Sequence, residues 1–237
     1  MTQLAAQTAL VTGANRGLGR EFVQQLLDRG VAKVYAGARD PEAVEIHDPR
    51  VVPLQLDVTD SESVVRAAEV AGDVSVVVNN AGVSLAARVL DDDTTQLRRE
   101  LEVNLFGPLA VTSAFADQLA ARSGVVVNVA SVLSWLALGG SYSVSKAALW
   151  SATDSMRLEL GPRGVQVVGV HMGYVDTDMT SGVDAPKSAP ADVVRQVLDG
   201  VEAGALEVIA DDLTRAVRGG LHQPVAERYA AFLPEAV

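Results

Sequence analysis

Six short runs in this chain are apolar almost from end to end: Thr8–Thr12, Lys33–Ala38, Val51–Leu56, Val74–Asn79, Val125–Ala130 and Val165–His171. A strand with one wet face alternates apolar and polar residues. These runs do not, so both of their faces must be covered, as in a parallel sheet packed between helices. Leu206–Ala210 is a candidate seventh strand. Between the runs lie helical stretches: Leu18–Arg29, Ser61–Ala71, Thr95–Arg122 (with a break expected near Pro108), Tyr142–Leu160 and Ala191–Ala203. Repeated strand, helix, strand predicts an α/β fold: a doubly wound parallel sheet of six to seven strands, helices on both faces, right-handed crossovers.

Composition fits that plan. Hydrophobic residues make up 49% and charged residues 21%, with aromatics only 4%, so the core must be built from Val, Leu and Ala. The 237 residues show no repeat, low-complexity tract or linker, and a single domain over 1–237 is expected. The net charge of −11 opposes binding to a phosphate backbone, so no nucleic-acid partner is expected. An anionic ligand would need donors and cations placed locally. The absence of cysteine excludes disulfides and thiolate metal sites and fits a reducing compartment. The start, MTQLAAQTALVTG, has no basic region followed by an apolar run, so a cytoplasmic location is expected. Ser123–Ser145 is uncharged and long enough to cross a bilayer, but Asn128, Gly139-Gly140 and its Val run fit a buried strand and loop better. No membrane or metal partner is expected. His47 and His222 are isolated, and Asp91-Asp92-Asp93 reads as a solvated loop and helix cap rather than a calcium site.

Ligands of such sheets sit beyond the carboxyl ends of the strands. The first strand ends in TGANRGLG, with Gly13, Gly17 and Gly19 spaced GxxxGxG. Glycines let the backbone turn tightly and approach a pyrophosphate, and the next helix offers free N–H groups. This predicts a Rossmann-type dinucleotide cradle lined also by Asn15, Arg16 and Leu18. No Gly-Lys-Ser/Thr follows, which excludes a Walker loop. Arg39 ends the second strand, and two cations, Arg16 and Arg39, favour a 2′-phosphate and therefore NADP(H) over NAD(H). Asp40 leaves open a plain Arg39–Asp40 pair. Asp57, with Val58 beside it, follows the third strand and suits an adenine amino group. Helix capping is its alternative, though Asp60 or Thr59 is better placed for that.

The fourth strand ends in Asn79-Asn80-Ala81-Gly82, unusually polar for its place. Together with TGANRGLG, Asn104 in LEVNLFGP, Ser131 in VNVASV, and Tyr142 and Lys146 in SYSVSK, this order resembles the short-chain dehydrogenases/reductases, carbonyl reductases among them. The resemblance covers Thr8 to about Met179. It implies a nicotinamide cofactor held by the first turn, with Asn80, Ala81 and Gly82 lining its site. Residues four apart share a helix face, so Lys146 is expected beside Tyr142. An ammonium there favours phenolate and lowers the phenol pKa from about 10. Tyr142 is then the general acid in reduction and the general base in oxidation. The resemblance implies that Ser131 polarises the substrate carbonyl, with Ser134 a competing candidate. The separation of Ser131 and Tyr142 (142 − 131 = 11) is two residues shorter than the family's usual spacing. It implies too that Asn104 holds a water linking Lys146 to solvent; a helix kink beside Gly107-Pro108 is the other reading. After the sixth strand, Met172-Gly173 replaces the family's usual Pro-Gly, and Gly173, Val175 and Thr177 are expected to contact cofactor. His171 reads as buried and satisfied rather than catalytic.

The segment Thr180–Ala189 is short, which predicts an open pocket. Leu133, Trp135, Leu136, Leu138, Met172 and Tyr174 suggest apolar or aromatic ketones, aldehydes and secondary alcohols; Trp135 suits core packing almost as well. The leading expectation is an NADPH-dependent oxidoreductase interconverting carbonyls and alcohols. An NAD-dependent secondary alcohol or steroid dehydrogenase is the alternative within the class, and an NADP-binding sensor without turnover is the rival outside it. From relatives, a homodimer or homotetramer through the Thr95–Arg122 and Tyr142–Leu160 helices is expected.

Overall fold

The computed structural model describes residues 3–85 and 87–233. Seven parallel strands form one sheet: β1 (Thr8–Thr12), β2 (Lys33–Ala38), β3 (Val51–Gln55), β4 (Val76–Asn79), β5 (Val125–Val129), β6 (Gln166–His171) and β7 (Glu207–Ile209). Their spatial order is β3-β2-β1-β4-β5-β6-β7. The order reverses between β1 and β4, and that is where a crevice opens at the carboxyl ends of the strands. Each strand falls within two residues of its expected bounds.

The helices are α1 (Gly17–Asp28), α2 (Ser61–Val70), α3 (Thr95–Leu101), α4 (Gly107–Ala121), α5 (Ser141–Leu160), α6 (Pro190–Glu202), α7 (Asp212–Gly219) and α8 (Val225–Arg228). Alternate residues along the strands feed two cores. Val11, Val76, Val125 and Val168 pack with Phe22 and Leu26 of α1 and Val197 and Leu198 of α6. Leu10, Val77, Val126 and Val167 pack with Val64 of α2, Phe115 and Leu119 of α4, and Met156 and Leu160 of α5. Fully burying a Leu or Phe contributes about 1.5–3 kcal/mol, so both sides of the sheet are held by comparable sets of side chains.

The register of β4 on β5 sets Val76, Val77, Val78 and Asn79 against Val125, Val126, Val127 and Asn128. The two asparagines meet: Asn79 Nδ2 donates to Asn128 Oδ1 at 2.8 Å and to Thr112 Oγ1 at 3.0 Å. Asn128 Nδ2 donates in turn to Thr153 Oγ1 at 2.9 Å. This buried polar ladder ties β4 and β5 to α4 and α5.

The break expected near Pro108 is a π-helical turn, Glu102–Phe106, that runs without interruption from α3 into α4. Its signature is the Gly107 N–H donating to the Glu102 carbonyl, five residues back. Pro108 has no N–H to give, and its ring would press on the carbonyl of Asn104 in a regular helix; the wider turn accommodates both. Sequence reading assigned nothing to α7 and α8. Among the described residues, no helix is long and apolar enough to cross a membrane, and no group of three or more His, Cys, Asp or Glu side chains is placed to hold a metal ion.

Candidate active site

The crevice between β1 and β4 starts with the Gly-rich turn. Gly13 and Gly17 have φ of 64° and 53°. Gly19 is packed so closely that a Cβ would lie 2.0 Å from the Gly13 carbonyl oxygen. Only glycine fits there. Arg16 occupies the N-cap position of α1 without offering a side-chain acceptor, so the first-turn N–H groups of the helix are not capped by it. A helix start of this kind favours an anion. The turn is anchored from β4. Thr12 Oγ1 accepts the N–H groups of Asn80 and Ala81, both at 3.0 Å, and Asn80 Nδ2 donates to the Thr12 and Gly13 carbonyls at 2.9 and 3.2 Å. Thr12 escaped the sequence reading, although a polar residue closing an apolar strand was the same signal that picked out Asn79.

At the far edge, Asp60 caps α2 by accepting from Glu62 N–H, which frees Asp57 from that task. Asp57 Oδ1 accepts from the N–H and hydroxyl of Thr59 at 2.9 and 2.7 Å. Burial pushes the Asp57 carboxyl up, but the Thr59 hydrogen bonds and the charges of Arg39 and Arg99 outweigh it and hold it below the usual carboxylate range. Asp40 is committed elsewhere, to the N–H of Glu42. Arg39 is exposed and makes no ion pair among the described residues. Arg16 differs: it pairs with Asp178 at 3.3 Å across exposed surface. Of the two expected cations, Arg39 is thus unpaired among the described residues, and Arg16 bridges to the segment after β6 through an exposed ion pair.

The proton-handling groups gather at the ends of β5 and α5. Ser131 lies two residues beyond β5 and caps a short 3-10 turn, Val132–Ser134, accepting from Leu133 N–H at 3.1 Å. A second such turn, Ala137–Gly139, and Gly140 at φ 56° lead into α5. This compact route takes up the two missing residues and leaves the Ser131 hydroxyl near the Tyr142 phenol, close enough to favour its ionised form. Ser134 is buried with no partner for its hydroxyl. Ser143 steadies the loop by accepting from Gly139 N–H and donating to the Leu136 carbonyl, both at 2.9 Å.

Lys146 lies one turn beyond Tyr142, 4% exposed, with Nζ 5.6 Å from the Tyr142 ring centroid. It donates to the Val129 carbonyl at 2.8 Å. Burial pushes the Lys146 amine down to about 8. The expected lowering of the Tyr142 pKa is not what this arrangement produces. Burial raises the phenol above its ordinary value, the carboxylate of Glu100 raises it further, and the nearby Ser131 hydroxyl opposes both without reversing them.

Asn104, fully buried in the π turn, accepts from Val83 N–H and donates to the Val83 carbonyl and Ser145 Oγ, all at 2.9 Å. The reading of a distorted helix holds, since Asn104 sits in the π turn; its bond to Ser145 places it beside the residue that precedes Lys146. A Cβ on Gly82 would lie 3.3 Å from Asn104 Oδ1 and 3.7 Å from Lys146 Nζ.

The third wall follows β6. The Gly173 N–H donates to Asp211 Oδ2 at 2.7 Å, and Asp211 Oδ1 caps α7 through Thr214. Val175 is buried. Thr177 leans over the Gly-rich turn, where a Cβ on Gly17 would meet its methyl at 3.4 Å. On the substrate side Leu133 is half-buried, and Leu138 and Tyr174 are exposed. Two expected lining residues go to packing instead. Met172 joins the core of α1 and α6. Trp135, 5% exposed, stacks on His171 with centroids 4.0 Å apart and meets Trp150 edge-on at 6.0 Å. Arg218 of α7 lies 5.3 Å from the same ring, and Tyr229 accepts from Ala137 N–H at 3.1 Å. His171 is buried as expected, its Nδ1 3.1 Å from the Ser131 carbonyl, and burial lowers its pKa. The C-terminal contacts lacked any short motif that could have announced them.

Known proteins resemble this chain in sequence and fold. The family pattern described as short chain dehydrogenase matches residues 7–188. The chain belongs to the short-chain dehydrogenase family of oxidoreductases. A short chain dehydrogenase from Burkholderia cenocepacia, solved in complex with NADP, is 40% identical, with a TM-score of 0.94 over 98% of this chain and 100% of that one. The short-chain dehydrogenase srdE of Neurospora crassa is 33% identical over 76% of this chain and 64% of its own length. The NADPH-dependent 1-acyldihydroxyacetone phosphate reductase of Schizosaccharomyces pombe is 32% identical over 75% of this chain and 62% of its own length. The chain thus spans just under two thirds of the length of these last two relatives.

Proposed function

We propose that this chain is an NADPH-dependent reductase that converts ketones and aldehydes to alcohols, reversibly, with Tyr142 as proton donor. One observation carries the reading: beyond the carboxyl end of β5, Ser131 and Tyr142 come together with the Lys146 amine, which is buried and 5.6 Å from the Tyr142 ring centroid. The glycine turn, the uncapped start of α1 and the Asp57 carboxylate fit a dinucleotide. Gly13, Gly17 and Gly19 would hold its phosphates, Asp57 and Val58 its adenine, and Lys146 and Thr177 its nicotinamide end. When bound, that group supplies the hydride.

The protein supplies the proton and the orientation. The Leu133 N–H fixes the Ser131 oxygen, so that its hydrogen can turn from the phenol to a substrate oxygen placed between them. Tyr142, held protonated by its surroundings, has a proton to give as negative charge develops on that oxygen. Arg39, unpaired at the end of β2, supports NADP(H) through its fit to a 2′-phosphate, as does the NADP bound by the 40%-identical relative. Half-buried Leu133 and exposed Leu138 and Tyr174 support apolar or aromatic substrates.

Tyr142→Phe tests this directly. The expected outcome is a loss of carbonyl reduction of about 100-fold or more, with NADPH affinity preserved in a fluorescence titration. Reduction at the parent rate would sink the assignment.

A further inference from the structure

The segment after Gly82 is tied down at alternate residues. Val83 is held by Asn104, Leu85 by Glu100, and Ala87 by the N–H of Ser141 at the start of α5. The tie at Leu85 stands apart because its acceptor is a carboxylate. Glu100 lies in the last turn of α3 and is 0% exposed. Its Oε1 accepts from Leu85 N–H at 2.7 Å, while Oε2 is buried with no hydrogen-bond partner. Among the described residues no cation pairs with it. An amide oxygen would hold the Leu85 N–H as well. Tethering therefore does not account for a second, idle, buried oxygen, which is costly to keep.

Packing supplies a reason. Helix α3 lies against α5, and the contacts on either side of Glu100 run to the start of α5. Asn104, one turn on, donates to Ser145 Oγ, and the Ala87 carbonyl, two residues past Leu85, accepts the Ser141 N–H, so Glu100 is set against the turn that carries Tyr142. We propose that Glu100 is a positioning residue that keeps Tyr142 protonated, its carboxylate facing the phenol from α3 and biasing the site toward giving a proton rather than taking one. This rests on the reading of Tyr142 as the proton donor. The other groups facing the phenol do not duplicate the effect. Ser131 is neutral, and so is Asn104 of the π turn. Lys146 of α5 carries positive charge when protonated. His171 of β6 lies beyond Ser131, where Arg218 and Lys146 also act on it.

Glu100→Gln keeps the acceptor for Leu85 and removes the charge. With NADP+ and a secondary alcohol, the rise of kcat/KM with pH should move to lower pH by about half a unit or more, and a loop tether alone would not move it. An activity-free readout accompanies it: the 13Cζ tyrosine resonance that is missing in Tyr142→Phe, followed against pH in the NADP+-bound protein, should begin to titrate at lower pH in Glu100→Gln. If both the limb and the resonance stay where the parent has them, as for a carboxyl that carries no charge when Tyr142 ionises, the proposal is overturned. Should Tyr142→Phe remain active while the resonance moves, the proton-donor reading fails and the electrostatic link from Glu100 stands.

Discussion

Replacing Lys146 by methionine should make the cofactor-free protein's stability respond differently to pH, by an amount the structure sets. Burial holds the Lys146 amine at about 8 instead of 10.5. The gap, 10.5 − 8, is worth about 3 kcal/mol at about 1.4 kcal/mol per pH unit. Between these two values the unfolded chain keeps the proton and the folded chain has released it, so folding stability rises with pH across that window. Below the folded value the cost of burying an ammonium is present in full. A thioether in its place would bear no such cost. Urea denaturation of both proteins without cofactor, at several pH values from about 7 to about 10.5, should give curves that converge by about 3 kcal/mol in favour of the parent as pH rises. Loss of the bond from Nζ to the Val129 carbonyl displaces the variant's curve without supplying that slope. Because both proteins share every other titrating group, the difference isolates this one. Parallel curves would refute the reasoning, since they would mean that the amine titrates alike in the folded and unfolded chain.

Gly140→Ala should cost about 1–3 kcal/mol in chemical denaturation, because φ is 56° there and the added Cβ would lie 2.2 Å from the Ala87 carbonyl oxygen; a variant as stable as the parent would show that the short route to Tyr142 is not constrained at this point. Arg39→Ala should lower kcat/KM with NADPH by about 10- to 100-fold, the loss of a charge-assisted contact, and leave the value with NADH nearly unchanged. Equal losses with both cofactors would remove Arg39 from 2′-phosphate recognition.

Elements were legible where local pattern and final environment agree. Strands such as Val125–Val129 are apolar on both sides because helices cover both, so the run itself predicted the layers. The Gly-rich turn was legible because its backbone demands are local, as the 2.0 Å approach at Gly19 shows. Tyr142 and Lys146 were legible from a helical spacing. Their titration was not, because it depends on burial and on Glu100, forty-two positions away (142 − 100 = 42), which no periodicity links to the phenol. Trp135 had two readings from sequence, and the deciding contacts come from His171 and from Arg218 in a C-terminal helix that no motif marks. The ion pair of Arg16 was hidden for the same reason. Its partner Asp178 lies on the opposite rim of the crevice.

The matched quartets at the centre of the sheet, Val-Val-Val-Asn beside Val-Val-Val-Asn, leave the chain with a proofreading problem. Sliding one quartet past the other by a single step exchanges valine for valine and hides the same oil from water, so greasiness cannot tell right alignment from wrong. Amides can. A misaligned pair would strand both carboxamides in a dry interior at a penalty of about 1–3 kcal/mol apiece. Two asparagines thus act as the vernier of an otherwise featureless ruler, and the crevice above them inherits its alignment from that mark.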